Sequence, residues 1–423
     1  MDKININNFE EKMYYEKLSS GLEVFMIPLL KKNNFHCMFG TKFGGRDLFF
    51  SVDDKRCEVP SGIAHFLEHK LFEREDINPF EFYYNSGTDV NAHTTNEYTG
   101  YYFNGNTNFY DNLSYLLNWI TSLSIDEKQV AKEKGIILEE ASMYKDDPNT
   151  VLFERLRANV IVSDPERNKI IGSDEDIKTI SLEDLELCYK SFYRPDNMFI
   201  ICVGQFDPFK TIKLIRKELK NFTNPNEIVK KIITFEEDTV YKEYEEVELE
   251  VKTSKVGINF KLNKGLLSDL KISNYMLQYY FNMIFTLSFG LSSEFREELL
   301  NKHLIVSSEY NISTLDNHYI FEFYVVTEKP NAFIKRFKSY INNINLLEEN
   351  FLRMKKTWIA SEVRTIDNIG ITTYSLIDDI INYEEFKNNK IKDIKKMNYE
   401  TLIKVLKKFN FDNCSILKIK PKK

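Results

Sequence analysis

Two of the six histidines in this 423-residue chain stand four positions apart, in the run Gly62-Ile63-Ala64-His65-Phe66-Leu67-Glu68-His69. On a helix, residues i and i+4 share a face, so both imidazoles reach a single ion. Glu68, three residues after His65, is within reach of that face. Two neutral imidazoles and a carboxylate suit a catalytic Zn²⁺ that keeps a position open for water. Such an ion lowers the pKa of its water to about 7, and a nearby carboxylate can take the proton. Glu68 is placed for that base role. The plainer alternative is a pair of satisfied core histidines beside a surface charge. In a chain so poor in histidine, the spacing arises by chance on the order of 0.01 times.

A third ligand has to come from elsewhere. The helix expected from Asp126 to about Tyr144 offers Glu133, Glu139 and Glu140. Glu133 and Glu140 are two turns apart and share a face, whereas Glu139 is rotated by about 100°. Ile136 and Ile137 are expected to pack inward on this helix. Carboxylates beside apolar residues are costly without a cation. Spacing alone leaves Glu139 and Glu140 both open, with a solvated helix face as the plainer reading.

The elements that position these residues are readable from periodicity and turn signals. Tyr14–Leu18 and Glu23–Ile27 flank a Ser-Ser-Gly hairpin, and Phe35–Phe43 is a further strand. Pro60-Ser61 opens the helix Gly62–Glu73, and Asn78-Pro79 caps a shorter one ending near Gly87. Strands Asp89–Thr95 and Tyr98–Asn104 follow. Helices then dominate until the buried strand Met198–Gly204. Mixed strands and helices without regular βαβ alternation predict an α+β architecture.

The length and composition set the frame. Hydrophobic residues at 43% and aromatics at 14% exclude a disordered or low-complexity chain. A net charge of −7 carries no basic excess, so no nucleic-acid partner is expected. The basic end Lys418–Lys423 reads as a solvated terminus. Five scattered cysteines without a CxxC pair argue against disulfides, and Cys37 and Cys202 read as buried thiols. The polar opening Met1–Asn8 is unlike a signal peptide, and Tyr275–Leu291 is too short and polar to span a bilayer. A cytoplasmic, non-membrane protein is the expectation.

The order of elements recurs after residue 239, giving two similar units of about 210 residues. The expected division is 1–220, an interdomain linker at 221–238, and 239–423. Each domain is expected to be a mostly antiparallel β-sheet packed against helices, an α/β roll. In the second half the helix Leu270–Leu287 takes the place of the histidine helix but carries no histidine. One metal site per chain follows. Tyr275, Tyr279 and Tyr280 on that helix read as core.

The sequence resembles the pitrilysin/insulinase inverzincins, and within them the half-length processing-peptidase branch. The carriers are Gly44-Gly45-Arg46-Asp47, Ser61 to Phe72 around His-x-x-Glu-His, and Asn91-Ala92 with Thr94. Glu133-Lys134-Gly135-Ile136-Ile137-Leu138-Glu139-Glu140 and Tyr193-Arg194-Pro195-Asp196-Asn197-Met198 complete them. The resemblance covers about residues 14–205 well and the rest weakly. It implies that His65, His69 and Glu140 bind zinc, that Glu68 is the general base, and that Glu133 supports the site as an auxiliary acid. It implies a peptide substrate laid along the edge strand at Asn91, Ala92 and Thr94. At His93, where the family often has an aromatic residue, a substrate contact and an exposed strand residue both remain open.

The family also places an arginine and a tyrosine near the zinc from the last domain of a paired assembly. Arg296 is the arginine's counterpart here. The glycine expected after it is His303, and no tyrosine follows at Ile305 or Val306. The resemblance therefore implies a zinc metalloendopeptidase acting on peptides or small unfolded proteins within a chamber, with a zinc-less homologous subunit supplying the missing pair. A non-catalytic peptide-binding scaffold, or an accessory subunit for another protein's modification, is the alternative.

Overall fold

The structure, a computed structural model, describes residues 1–7, 9–74 and 78–422. Asn8 of the polar opening and Lys423 of the basic end lie outside the described residues. The chain has the α+β architecture expected, built as two similar units.

The first unit comprises Met1–Ala141, Asn168–Ile232 and Glu362–Lys390. Its strands are β1 (Asp2–Asn5), β2 (Lys12–Lys17), β3 (Glu23–Pro28), β4 (Phe35–Thr41), β5 (Asp89–Thr94), β6 (Thr99–Gly105) and β7 (Met198–Gly204). They pair in the order β1-β2-β3-β7-β4-β6-β5. Among the described residues of this sheet, β3 and β7 alone run parallel. β4 and β7, which read as largely apolar runs, are buried on both faces. Cys37 and Cys202 face each other across them as buried thiols. β5 is left as an edge.

Between β4 and β5 lie helices α1 (Ile63–Phe72) and α2 (Pro79–Asn85). α1 begins at Gly62, whose φ of +93° and close approach to Ile171 leave no room for a side chain. It buries Ile63, Ala64, Phe66, Leu67 and Leu71 in a core shared with Phe39, Tyr101 and Trp119. α2 is capped by Asn78, whose Oδ1 accepts from the Phe80 amide at 2.9 Å. α3 (Glu127–Tyr144) starts where expected. Asp126 accepts from the Gln129 amide at 2.8 Å and Gln129 accepts from the Asp126 amide at 2.9 Å, a reciprocal cap.

The second unit comprises Ser142–Arg167, Ile233–Ser361 and Ile391–Lys423. It contains α4 (Pro148–Val160) and strands β8 (Tyr244–Leu249), β9 (Ser254–Asn263), β10 (Ser307–Thr314), β11 (His318–Thr327) and β12 (Cys414–Pro421). Their order, β8-β12-β9-β11-β10, reproduces β3-β7-β4-β6-β5, with the parallel pair β8/β12 in the place of β3/β7. Helices α5 (Asn274–Phe289) and α6 (Glu294–Asn301) join β9 to β10 as α1 and α2 join β4 to β5. The internal repeat is thus a repeat of topology.

Two segments cross the boundary that the sequence placed at residue 220. α4, from the first half, packs Val151, Leu152 and Leu156 with Leu417 and Ile419 of β12. α7 (Ile369–Tyr383), from the second half, packs Ile369, Leu376, Ile377 and Ile380 with Ile27, Met38 and Ile201 of the first sheet. Each sheet has a second apolar face, and this exchange covers it. The 221–238 segment is not a free tether. Val229–Lys231 pairs with Phe49–Val52. The buried Glu236 carboxylate accepts from the amides of Val162, Ser163 and Asp164 at 2.7–2.8 Å and from Lys261 Nζ at 2.6 Å. The basic end also differs from expectation. Lys418 is buried in β12, donating to Asn331 at 3.1 Å and pairing with Glu246. Among the described residues, no helix is long and apolar enough to cross a membrane.

Candidate metal centre

α1 turns one face to the core and leaves His65, Glu68, His69 and Phe72 on the other, as the i, i+3, i+4, i+7 spacing requires. α3 brings Glu133 and Glu140 to the same place. His69 Nε2 lies 3.3 Å and His65 Nε2 3.9 Å from Glu140 Oε2. One ligand atom from each of the three residues falls within 4.8 Å of the others. Glu139 points to solvent, so the side chains separate what spacing had left open. Ile137 is buried as expected, but Ile136 is 42% exposed, because it lies one turn from Glu140 on the open side of α3.

Glu133 is 6% exposed and its Oε1 is 3.0 Å from His69 Nδ1. A carboxylate behind an imidazole fixes the ring's orientation and raises its basicity, as metal-bound histidines require. His65 Nδ1 has no partner among the described residues. Lys70 is almost wholly buried next to His69, paired with Glu73 and 3.9 Å from Glu133 Oε2. Lys70 is not among the candidate site residues read from the sequence. Its signal was a lysine inside an apolar helical run with a glutamate three residues on.

Charge follows from this packing. Burial, helped by the neighbouring His69, pushes the His65 pKa down to about 3, so that ring is neutral and free to ligate. Burial works against a charge on His69, yet Glu133, Glu140 and Glu68 together raise its pKa. Burial also opposes ionisation of Glu133, but His69 and Lys70 hold its carboxyl below the usual range. Burial pushes the Glu68 carboxyl up, against the pull of Thr94 and His69. Three carboxylates thus converge on two imidazoles at one small site. This donor set fits a divalent cation taking the place of the His69 proton.

Glu68 Oε2 accepts from Thr94 Oγ1 at 2.5 Å, which ties α1 to the last residue of the edge strand. The Thr95 amide bonds back to Tyr98, so by antiparallel alternation the backbone groups of Ala92 and Thr94 point away from β6 to the open edge. The Ala92 amide donates to Asn91 Oδ1 at 2.9 Å. Asn91 and His93 lie on the strand face opposite Thr94. His93 is not the exposed residue considered above. It is half-buried, with Nε2 2.8 Å from the Tyr98 hydroxyl. In the second unit Arg296 sits on α6. His303 adopts φ +52°, the conformation for which a glycine was expected.

Residues 56–174 match the family model described as insulinase (peptidase family M16), and residues 179–357 the one described as peptidase M16 inactive domain. An uncharacterized zinc protease of Bacillus subtilis, YmfH, is 35% identical over 312 residues, 71% of this chain and 71% of that protein. The chain belongs to the insulinase family of peptidases, family M16. The mitochondrial-processing peptidase subunit beta of Caenorhabditis elegans is 30% identical over 180 residues, 41% of this chain and 39% of that one. In fold, the chain is similar to a protein of Alicyclobacillus acidocaldarius described as M16-like. The TM-score is 0.92 at 24% identity, covering 98% and 99% of the two chains. A Helicobacter pylori protease gives a TM-score of 0.82 at 19% identity, covering 98% and 100%. Family membership and the names of these relatives make the chain peptidase-like.

Proposed function

We propose that this M16 chain is a zinc-dependent metalloendopeptidase with one zinc per chain, acting on peptides or small unfolded proteins. The observation that carries the reading is the convergence of His65, His69 and Glu140 beside Glu68 and an open strand edge. His65, His69 and Glu140 would hold the ion, and Glu133 would keep His69 in its ligating orientation. When bound, zinc supplies Lewis-acid polarisation of water and of the scissile carbonyl. A peptide adds to β5 through the outward backbone groups of Ala92 and Thr94, with Asn91 releasing the Ala92 amide. Thr94 holds one oxygen of Glu68. The other oxygen takes the proton of the attacking water and returns it to the leaving amine nitrogen.

An enclosed chamber shared with a second subunit would restrict cleavage to short or unfolded chains, as peptide maturation requires. The partner proposed is a zinc-less homologue that contributes the arginine and tyrosine, in preference to a second copy of this chain. The naming of the C. elegans relative as a subunit, and the absence of a tyrosine at Ile305 and Val306, favour a heterodimer.

Stripping the purified chain with a chelator and reloading it tests the reading. One zinc per chain should return together with cleavage of an unstructured peptide, and His69→Ala should abolish both. A chain that takes up no zinc near neutral pH would support a peptide-binding scaffold instead. Sedimentation with a peptidase assay tests the partner, and full activity from this chain alone would sink the heterodimer.

A further inference from the structure

The turn that closes the edge strand is held through its backbone. Past Thr94, the Thr95 amide donates to the Tyr98 carbonyl at 2.8 Å, and Thr95 Oγ1 accepts from the Glu97 and Tyr98 amides at 3.1 Å. The loop 44–47 grips this turn. The Gly45 amide donates to the Thr95 carbonyl at 2.8 Å, and the Arg46 amide to the Asn96 carbonyl at 3.1 Å. The two backbones lie so close that a Cβ at Gly44 would collide with the Asn96 carbonyl.

Asp47 fixes the loop in turn. It is buried, and its Oδ2 accepts from the Gly44 amide at 2.9 Å and from Lys231 Nζ at 2.8 Å. Burial pushes the Asp47 carboxyl up, against the pull of Lys231, the Gly44 amide and Arg46. Cys188, on the helix Leu182–Phe192, also faces Asp47, and burial pushes that thiol up. Lys231 is exposed and ends the short strand Val229–Lys231, inside the segment that the sequence presents as a linker. Removing one partner of such a pair leaves a buried carboxylate uncompensated.

We propose that Lys231 is a positioning residue for the reaction at Glu68: by pairing with Asp47 it holds the loop 44–47 on the turn after β5, and so holds Thr94 on the Glu68 carboxylate. The inference rests on the reading of Glu68 as the base of a peptidase. The link runs from Lys231 to Asp47, through the amides of 44–46 to the carbonyls of 95 and 96, and then to Thr94, which bonds Glu68 at 2.5 Å. Without the cation, Asp47 is relieved by opening of the loop toward water. That frees the carbonyls of 95 and 96 and lets Thr94 drift from Glu68. A small misplacement of this kind is costly where geometry sets the rate.

The test compares zinc-loaded, full-length wild-type, Lys231→Met and Lys231→Arg chains. Cleavage of an unstructured peptide is read together with amide hydrogen exchange, and a cooperative unfolding transition verifies the fold of each variant. Lys231→Met should lower kcat about tenfold with zinc content unchanged, and Lys231→Arg should stay within about twofold of the wild type. In a Thr94→Val background, Lys231→Met should cost less than about twofold more, because its route to Glu68 is already cut. The deficit of Lys231→Met, taken as a ratio to the wild type at each pH, should shrink from about pH 8 to about pH 6. Protonated Asp47 still accepts from the Gly44 amide and carries no unpaired charge. Exchange of residues 44–48 and 94–98 should rise about fivefold or more in Lys231→Met, with β7 unchanged. A full rate in Lys231→Met, a deficit constant with pH, a full additional loss in the Thr94→Val background, or unchanged exchange at 94–98 would overturn the inference. A wild-type chain that cleaves no peptide removes the peptidase reading instead, and the exchange result then decides by itself whether Lys231 holds the turn.

Discussion

α1 and α5 occupy the same place in two sheets of the same topology, and both reach the end of the neighbouring edge strand with a polar side chain. In the first unit the Glu68 carboxylate accepts from Thr94, the last residue of β5. In the second, Gln278 Nε2 donates to Thr314 Oγ1 at 2.7 Å, and Thr314 is the last residue of β10. The helix-to-edge bond is repeated, but an amide cannot take a proton where a carboxylate can. The helices differ in the same sense. α1 exposes two imidazoles beside two carboxylates of α3. α5 has no histidine and packs Phe281 and Phe285 against Tyr319 and Phe321 of β11. One scaffold carries a candidate site in one unit and aromatic packing in the other.

The largest effect is expected in the scaffold. Each sheet depends on a helix from the other half of the sequence, α7 for the first and α4 for the second. Residues 1–220 and 239–423 expressed apart should therefore lack a cooperative unfolding transition and bind a hydrophobic dye. Either half folding alone with a sharp transition would show that the exchanged helices are dispensable.

The two exchanged helices also differ in how they are held. α4 is held by Arg157, which bonds Glu322 at 3.2 Å and pairs with Glu166. α7 is held through Asp379, which is 2.9 Å from Lys390 and accepts from the Lys387 amide at 3.1 Å. Burial outweighs these partners and pushes the Asp379 pKa up to about 6. The folded chain therefore binds this proton where the unfolded chain has released it. The contribution of Asp379 is most favourable below about pH 4, falls as pH rises to about 6, and is flat above. Relative to Asp379→Asn, the wild-type chain should lose about 3 kcal/mol between pH 4 and 7. A difference between the two proteins that is constant with pH would contradict this, read by denaturant unfolding at each pH.

Smaller effects are expected at the centre itself. Glu133→Gln removes the charge behind His69 and should weaken zinc binding about 10–100-fold, measured by competition with a chelator. Unchanged affinity would mean that His69 is oriented without it. Thr94→Val removes the bond to Glu68 and should lower the cleavage rate about tenfold with zinc content unchanged. A full rate would detach the edge strand from the site.

Much of this was legible from local pattern. The i, i+4 histidines, the Asp126 and Asn78 caps and the apolar runs of β4 and β7 are signals carried within a few residues, and the structure has them where periodicity put them. What was not legible depends on distant partners. Nothing near Leu152 or Leu376 says which sheet each will cover. Glu236 falls in the expected linker and Lys418 in the expected solvated end, because the amides of 162–164, Asn331 and Glu246 that satisfy them are remote in sequence. Lys70 is the exception, since its partner Glu73 stands three residues on and only Glu133 is remote. Gln278 interrupts the apolar run of α5 for a partner, Thr314, that is equally remote in sequence.

If the carboxylate of Glu68, where the second unit has an amide, is what makes the first unit a site, exchanging it should abolish cleavage. Glu68→Gln gives the first unit the amide of the second and leaves His65, His69 and Glu140 in place. Zinc content and cleavage of an unstructured peptide are then measured on wild-type and variant chains under the same conditions. One zinc per chain is expected in both, with a fall in cleavage of about a thousandfold or more in the variant. A variant that cleaves as the wild type does, or a wild-type chain that holds no zinc, would contradict it.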